Sequence, residues 1–343
     1  MKTLWLHSVR LYLKLALFFY YKKIEVVKKG DIPANEPLMF LGNHQNALLD
    51  ALLIAVSTKR FCYFLTRASV FQNKIATRAL KSLQLIPIYR IRDGWSNLSN
   101  NAAIFENCTE LLHNNEAIAL FPEGNHNLNR TVRPLSKGFT RIIFETLERY
   151  PETDIKMIPV GVNYQKATAF GDSAAIFFGA SFEAKSIISE DKNKSVLDLK
   201  VKVHEELINL TTHIPPDSYD TTLKILEKHR ISYLNPKHVN DVISTNRITS
   251  EIKTVKKSFF IKHVFKWLLA MLLFGPYLVW HLLVKPKVAS PEFIGTFRFA
   301  IGISLVPVWI IFGIILLTVY FNLAVGLLFF LVILTLDLLT VKI

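Results

Sequence analysis

Residues 37–57, PLMFLGNHQNALLDALLIAVS, decide the fold class of this chain. The apolar run at 37–43 predicts a buried strand, and the apolar residues of 45–57 recur with helical spacing. Gly42 and Asn43 are turn formers between the two. A strand that passes directly into a helix is the repeating unit of α/β domains.

The same alternation of short apolar runs and helical patterns continues through residues 24–183. Strands are predicted at 37–43, 61–65, 85–90, 116–124, 155–164 and 174–179, and helices at 45–57, 70–82, 95–114 and 136–150. We therefore expect an α/β fold over 24–183, with a mainly parallel sheet flanked by helices. In such sheets, ligand sites form at the carboxyl ends of strands, where "GNHQN" and "FPEGNHN" lie.

The composition indicates a membrane-attached protein with anionic partners. Of the 343 residues, 51% are apolar, and the formal net charge is +14. This charge favours lipid headgroups, phosphorylated small molecules or an acidic carrier protein. Nucleic acid is not expected as a partner, because the lysines cluster beside apolar segments and no nucleic-acid-binding motif occurs. Cys62 and Cys108 lack disulfide-framework or metal-site spacing.

Residues 1–23 are predicted to form an amphipathic helix at the membrane interface. Arg10 and Lys14 interrupt the apolar run, which argues against a signal peptide. Apolar side chains recur at helical spacing: Trp5, Leu6, Val9, Leu13, Leu17 and Phe18. A surface helix packed on the protein's own core is the alternative.

The remaining segments are a polar helical extension, 184–255, and a C-terminal helical membrane region, 256–343. Residues 267–284 contain Gly275-Pro276 and form either a full span or a re-entrant hairpin. The hairpin is favoured, since it keeps the lysines that follow on the cytoplasmic side. Residues 299–341 fit a two-helix hairpin with a tight turn near 320–322.

His44 and Asp50 are the candidate catalytic pair. A neutral histidine can take a proton from an alcohol that attacks a carbonyl, and a carboxylate can orient the ring. Residues six apart diverge on one helix, so His44 must lie in the turn before the helix and Asp50 in its second turn. Asn46 is the expected N-cap. The alternative is a structural histidine beside a capped helix.

Four blocks occur in order: "NHQNALLD" at 43–50, "IPIYR" at 86–90, "FPEG" at 121–124 and "IPVGV" at 158–162. This set resembles the glycerolipid acyltransferases, which comprise glycerol-3-phosphate and 1-acyl-sn-glycerol-3-phosphate acyltransferases. The resemblance covers about residues 37–183. It implies transfer of a fatty acyl group from a thioester, either acyl-CoA or acyl-ACP, to a hydroxyl without a metal or redox cofactor.

The resemblance also implies roles for individual residues. His44 matches the general base and Asp50 its orienting acid. The positions that match substrate-binding residues are Arg90 for the phosphate, Glu123 and Gly124 in the acceptor block, and Lys137 in the "LSKGF" that follows. Pro159, in the last block, matches a position that helps shape the acyl-binding side.

Other residues are candidates by position. Arg67 follows a predicted strand and could face the substrate, although a solvated surface arginine is the alternative. Arg92 shares an extended face with Arg90 and could contact the phosphate as well. His126 is expected to be a loop residue beside the acceptor block, with contact to a ligand as the alternative.

Three departures from the family pattern bear on headgroup selectivity. Five residues separate His44 from Asp50, where four are usual, and some glycerol-3-phosphate acyltransferases share the longer spacing. The glycine usual before the arginine block is missing near Gln84. Asn125 and His126 follow "FPEG", where a threonine or serine is common.

These observations predict a membrane-bound O-acyltransferase of phospholipid biosynthesis. Lysophosphatidic acid is the first acceptor considered, with glycerol-3-phosphate and a lyso-aminolipid as alternatives. The expected partners are membrane lipids, a phosphorylated glycerol acceptor and, as a candidate, acyl carrier protein. The catalytic domain is expected on the cytoplasmic face, in a bacterial inner membrane. A non-catalytic lipid-binding membrane protein with the same fold is the alternative class.

Overall fold

The centre of the computed structural model, which describes residues 2–90, 101–245 and 260–343, is a mixed sheet. Eight strands join it within these ranges. They are β1 (Lys23–Lys28), β2 (Leu38–Gly42), β3 (Cys62–Arg67), β4 (Leu85–Ile88), β5 (Ala117–Leu120), β6 (Lys156–Tyr164), β7 (Ser173–Phe178) and β8 (Phe182–Glu183). The order is β1-β7-β6-β2-β5-β3-β4, and β8 pairs with the start of β6.

The sheet is mainly parallel, as the sequence predicts. β6, β2, β5, β3 and β4 run in one direction, while β7 is antiparallel to β6 and β1 is parallel to β7. Every residue of β2 and β5 is buried, because helices cover both faces of the sheet. This double burial explains why both strands are continuous apolar runs rather than alternating ones.

Helices flank the sheet on both faces. On one face lie α1 (Lys2–Tyr20) and α2 (Leu48–Ser57), and on the other lie α4 (Asn101–His113), α5 (Gly138–Arg149) and α6 (Lys192–Leu210). α3 (Lys74–Ser82) joins β3 to β4. The predicted α/β fold is confirmed. The part of the predicted helix 95–114 that lies before 101 falls outside the described residues.

The sequence patterns missed two strands and one helix. β1 carries Lys23, Glu25 and Lys28, and such charges are common on edge strands, where they deter pairing with other chains. β8 has only two residues, too few for a pattern. α8 (Pro236–Thr245) follows α7 (Tyr219–Lys228), and the two pack around a small core of their own.

α6 belongs to the domain core rather than to a separate extension. Its side chains Leu199, Val203 and Leu207 are fully buried in the cluster beneath α4 and α5. The sequence places this helix in the polar segment 184–255, because its outer face is rich in lysine and glutamate. The core contribution comes from a narrow stripe of apolar residues spaced four apart.

α1 has two apolar sides with different environments. Leu17 and Tyr20 are buried in the core of the domain. Other large apolar side chains of this helix remain exposed: Leu4, Trp5, Leu11, Tyr12, Leu15 and Phe18. One side therefore packs on the domain, as the alternative prediction states, and the other suits a membrane interface.

The C-terminal region consists of α9 (Phe260–Leu272), α10 (Phe274–Leu278) with a helical continuation to Lys287, α11 (Ile294–Tyr320) and α12 (Leu323–Lys342). Within the described ranges, α11 and α12 are long and apolar enough to cross a membrane. The segments 260–272 and 274–287 meet at 99°, which is the form of a broken span or a re-entrant loop.

Contacts with the domain indicate how these helices are arranged. Lys342 Nζ donates to the carbonyl oxygens of Phe18 and Tyr21 at 2.7 and 2.8 Å, which caps the C-terminal end of α1 with a cation. Lys262, at the start of α9, lies beside Gly171 of the domain. The start of α11 also contacts the domain, because Thr296 Oγ1 accepts a hydrogen bond from the Leu48 N–H. Both ends of the α11–α12 hairpin therefore lie on the domain side of the membrane region.

We predict that Ser290 lies on the same side of the membrane as the domain and Tyr320 on the opposite side. In sealed vesicles with the domain outside, Ser290→Cys should react with an impermeant maleimide. Tyr320→Cys should react only after permeabilisation. Cys62 and Cys108 are buried, so the unmodified chain is the unlabelled control. Labelling of position 290 from the opposite side alone would favour a full span before it.

Candidate active site

The turn between β2 and α2 forces His44 out of the core at the carboxyl edge of the sheet. β2 ends at Gly42, where a Cβ would come within 3.0 Å of the Phe121 ring. Ala47 closes the turn with φ of 42°, a left-handed conformation that costs energy for a residue with a side chain. A strained residue of this kind is common beside functional sites.

Asp50 is the buried anchor of this turn. Its carboxylate has no exposed surface. Oδ2 accepts hydrogen bonds from His44 Nδ1 at 2.8 Å and from the backbone N–H groups of Gln45 and Asn46 at 2.8 and 2.7 Å. Oδ1 accepts from the Tyr164 hydroxyl at 2.7 Å. Both oxygens of the buried carboxylate are therefore satisfied.

These contacts fix the tautomer of His44. A carboxylate only accepts hydrogen bonds, so the proton of the neutral imidazole lies on Nδ1 and Nε2 is the basic nitrogen. Burial and the neighbouring Asp50 raise the pKa of Tyr164 well above its usual value, so its hydroxyl stays protonated as a donor. The His44 side chain is 17% exposed, which leaves its ring accessible from one side.

Two details of the sequence prediction are wrong. Asp50 lies in the first turn of α2, because the helix begins at Leu48 and not at 45. Asn46 is not a side-chain N-cap: its amide donates to the Ala167 carbonyl oxygen at 2.8 Å. The Leu48 N–H instead donates to Thr296 Oγ1, at 3.2 Å, so a residue of α11 caps α2.

Glu123 supports the His44 backbone from the next strand. It follows β5, is only 3% exposed, and accepts the His44 N–H at 3.1 Å through Oε1. Its Oε2 accepts from Arg133 Nε at 2.6 Å, and Arg133 also donates to the Asn125 carbonyl oxygen. Burial raises the pKa of Glu123, while Arg133 and the His44 N–H oppose that rise. The structure thus uses Glu123 to hold the turn, and its predicted contact with the acceptor stays a prediction.

A row of rings leads outward from His44. The Phe121 ring stacks on it at 4.1 Å between centroids, and the His126 ring meets it edge-on at 5.4 Å. Phe293, just before α11, meets His126 at 4.5 Å. Burial, followed by the nearby His44, lowers the pKa of His126 to about 4, so His126 is neutral at physiological pH.

The predicted arginines lie along the same edge of the sheet. Arg67 ends β3, is exposed, and places its guanidinium 5.7 Å from the Phe293 ring centre. Arg90 lies two residues beyond β4 and is partly buried. With strands about 4.8 Å apart, Arg67 and Arg90 lie roughly 10 and 14 Å from His44 along this edge. Arg92 falls outside the described residues.

Gly124 and Lys137 have different positions. Gly124 ends the turn 121–124, where its N–H donates to the Phe121 carbonyl oxygen at 3.0 Å and its φ is 69°. Lys137 precedes α5 and lines a cavity of about 680 Å³ between α4, α5 and α6, on the face of the sheet away from α2. Its neighbour Ser136 donates its N–H to the Pro122 carbonyl oxygen at 2.7 Å, and the predicted contact of Lys137 with substrate stays a prediction.

Gln84 lies close to the position where the family usually has a glycine before the arginine block. Its φ is 63°, in the left-handed region that favours glycine. The backbone conformation expected of a glycine is thus retained with a side chain present. Tyr164 and Arg133, which complete the site, were not found from the sequence, because no spacing relates them to His44.

Residues 23–163 match the family model described as Acyltransferase. This region contains His44, Asp50, Arg67, Arg90 and Glu123. These residues are thus similar to acyltransferase domains. The match confirms the resemblance drawn from the four sequence blocks.

Known proteins are also similar to part of this chain. An uncharacterized acyltransferase of Schizosaccharomyces pombe is 27% identical over 142 residues, or 38% of this chain and 20% of that protein. The glycerol-3-phosphate O-acyltransferase 1 of Saccharomyces cerevisiae is 25% identical over 95 residues, or 27% of this chain and 12% of that protein. The matched segments thus span a fifth or less of these relatives.

A solved structure is also similar. It is the crystal structure of PlsC, the 1-acyl-sn-glycerophosphate (LPA) acyltransferase from Thermotoga maritima. The TM-score is 0.43 at 17% identity, over 60% of this chain and 80% of that chain.

We expect Arg133→Met to lower the free energy of unfolding by about 2–4 kcal/mol, because it leaves the Glu123 carboxylate buried without its counter-ion. Since burial raises the pKa of Glu123, the ionised form destabilises the folded state above that pKa. The deficit should therefore shrink as the pH falls and the folded protein takes up a proton. Urea unfolding in detergent, at neutral and mildly acidic pH, measures both effects.

Arg149→Met is the matched control. It removes an exposed ion pair with Glu106 and should leave stability nearly unchanged at both pH values. Equal stability of the two variants would contradict a supporting role for Arg133.

Proposed function

We propose that this protein transfers a fatty acyl group from a thioester to a hydroxyl of a membrane glycerolipid acceptor. The observation that carries the proposal is the His44–Asp50 pair at 2.8 Å, which leaves Nε2 as the basic atom of the imidazole. The acyltransferase family match of residues 23–163 supports the same reaction class.

The proposed chemistry follows from the tautomer. Nε2 of His44 takes the proton of the acceptor hydroxyl as its oxygen attacks the thioester carbonyl. Asp50, held by four donors, stabilises the imidazolium that forms. Collapse of the tetrahedral intermediate breaks the C–S bond. The leaving thiolate then takes the proton from His44, which restores the neutral ring and completes the ester.

A phosphorylated acceptor is supported by two cations on the edge that carries His44. Arg67 ends β3 and Arg90 follows the neighbouring β4 by two residues, and guanidinium groups bind phosphate through paired hydrogen bonds. Lysophosphatidic acid is our first candidate acceptor. The membrane helix α11 begins beside the site, so the site would lie at the surface of the bilayer, where this lipid resides. Glycerol-3-phosphate is the second candidate, since the S. cerevisiae relative is named for that acceptor.

The donor and the location complete the proposal. Acyl-CoA and acyl carrier protein both present anionic surfaces, which the net charge of +14 would attract. The transfer itself requires no metal or redox cofactor. Two apolar C-terminal helices support a membrane location. We propose the cytoplasmic face for the domain, because lysines flank the first apolar segment of the C-terminal region.

We expect His44→Ala and Asp50→Asn to lower kcat for acyl transfer by about 10²- to 10⁴-fold, because the first removes the base and the second removes the charge that orients it. The assay uses full-length protein in detergent or vesicles. It pairs radiolabelled acyl-CoA or acyl carrier protein thioester with lysophosphatidic acid, glycerol-3-phosphate or a lyso-aminolipid.

His113→Ala is the control histidine variant. His113 lies at the exposed end of α4, stacked on Tyr150 at 3.7 Å, and its loss should leave the rate unchanged. Vesicle flotation should be the same for all variants. Failure of the unmodified chain to acylate any acceptor, with lipid binding intact, would favour a non-catalytic lipid-binding protein.

A further inference from the structure

The C-terminal membrane region contacts the acyl-transfer site directly. Phe293, in the turn that leads into α11, meets the His126 ring at 4.5 Å. His126 in turn meets the ring of His44 at 5.4 Å. Phe293 also lies under the Arg67 guanidinium at 5.7 Å. One residue of the membrane region thus bridges a phosphate-binding candidate and the wall beside the catalytic base.

This contact is held in place by the first turns of α11. Thr296 Oγ1 caps the Leu48 N–H, and Arg298 donates to the Thr168 carbonyl oxygen at 2.8 Å. A Cβ at Gly295 would lie 2.7 Å from Asn46 Oδ1, so only glycine allows so close an approach. Phe299 is 1% exposed and packs in the core shared with α2. α11 is therefore seated on the helix that carries Asp50.

His126, which Phe293 contacts, has a ring nitrogen without a hydrogen-bond partner among the described residues. Its Nδ1 is buried and makes no hydrogen bond within the described part of the chain. Buried polar nitrogens are rarely left without a partner, so the position of this ring is set by its contacts with the neighbouring rings rather than by a hydrogen bond from Nδ1. The ring is neutral, so one nitrogen accepts and the other donates.

The direction of α11 defines the class of ligand. From residue 294 the helix carries an apolar surface away from the domain for 27 residues. A lipid that lies beside α11 with its chain in the bilayer has its glycerol end at Phe293. A water-soluble acceptor has no chain to contact this residue.

We propose that Phe293 is an acceptor-specificity residue, which contacts the apolar portion of a lysolipid next to its glycerol and so distinguishes a membrane-resident acceptor from a soluble one. The proposal rests on the proposed acyl transfer. It makes the C-terminal region a part of the substrate site as well as a membrane anchor.

The test compares Phe293→Ala with the unmodified chain on long-chain lysophosphatidic acid and on glycerol-3-phosphate. We expect the KM for the lysolipid to rise about 5- to 10-fold from the lost apolar contact. kcat, the KM for the thioester and the kinetics with glycerol-3-phosphate should not change. Phe293→Leu, which keeps apolar volume, should restore most of the lysolipid KM.

Phe312→Ala is the matched control. This residue lies further along α11, is 55% exposed, and should leave every kinetic constant unchanged. Flotation on vesicles and thermal unfolding should not differ among the variants. The double variant Phe293→Ala/His126→Ala should raise the lysolipid KM by less than the product of the single effects, because the two rings share one wall.

Three results would overturn the proposal. One is an unchanged lysolipid KM in Phe293→Ala. Another is an equal loss on both acceptors, which would indicate a structural role. The third is an unmodified chain that acylates neither acceptor, in which case the proposed function fails and this inference fails with it. If the unmodified chain is active but Phe293→Ala does not distinguish the two acceptors, only the inference is refuted.

Discussion

The buried carboxylate of Asp50 is the constraint on which the site depends. A carboxylate with no exposed surface is costly unless both oxygens are hydrogen-bonded, and here four donors converge on it. Two of these donors are backbone N–H groups of the turn, one is His44 and one is Tyr164 of β6. The carboxylate therefore shapes the turn, starts α2 and orients the imidazole through the same set of hydrogen bonds.

The site is assembled from neighbouring strands because the sheet is parallel. β2, β5, β3 and β4 all end at one edge, and each is followed or ended by a residue with a predicted chemical role. A residue at the end of a neighbouring strand can also support the site structurally. Glu123, after β5, accepts the His44 N–H and pairs with Arg133. The Glu123–Arg133 pair therefore supports the backbone of the turn that carries His44.

The membrane region is joined to the domain at several points. Thr296 caps α2, and Lys342 caps the C-terminal end of α1 from the last turn of α12. Both interactions use a helix end, where backbone groups have no partner within the helix. The hairpin of α11 and α12 is thereby tied to the elements that carry Asp50 and the N-terminal apolar surface.

The sequence by itself determined the alternation of strands and helices, the two C-terminal apolar helices and the His44–Asp50 candidate pair, because these are local patterns of apolar spacing and turn residues. Tertiary structure alone decided that Tyr164 completes the carboxylate site, that Arg133 pairs with Glu123 and that α11 caps α2. These partners lie from 10 to 248 residues apart in the chain. No local periodicity encodes such contacts, since they arise only when the sheet brings strand ends together and the core seats α11 against them.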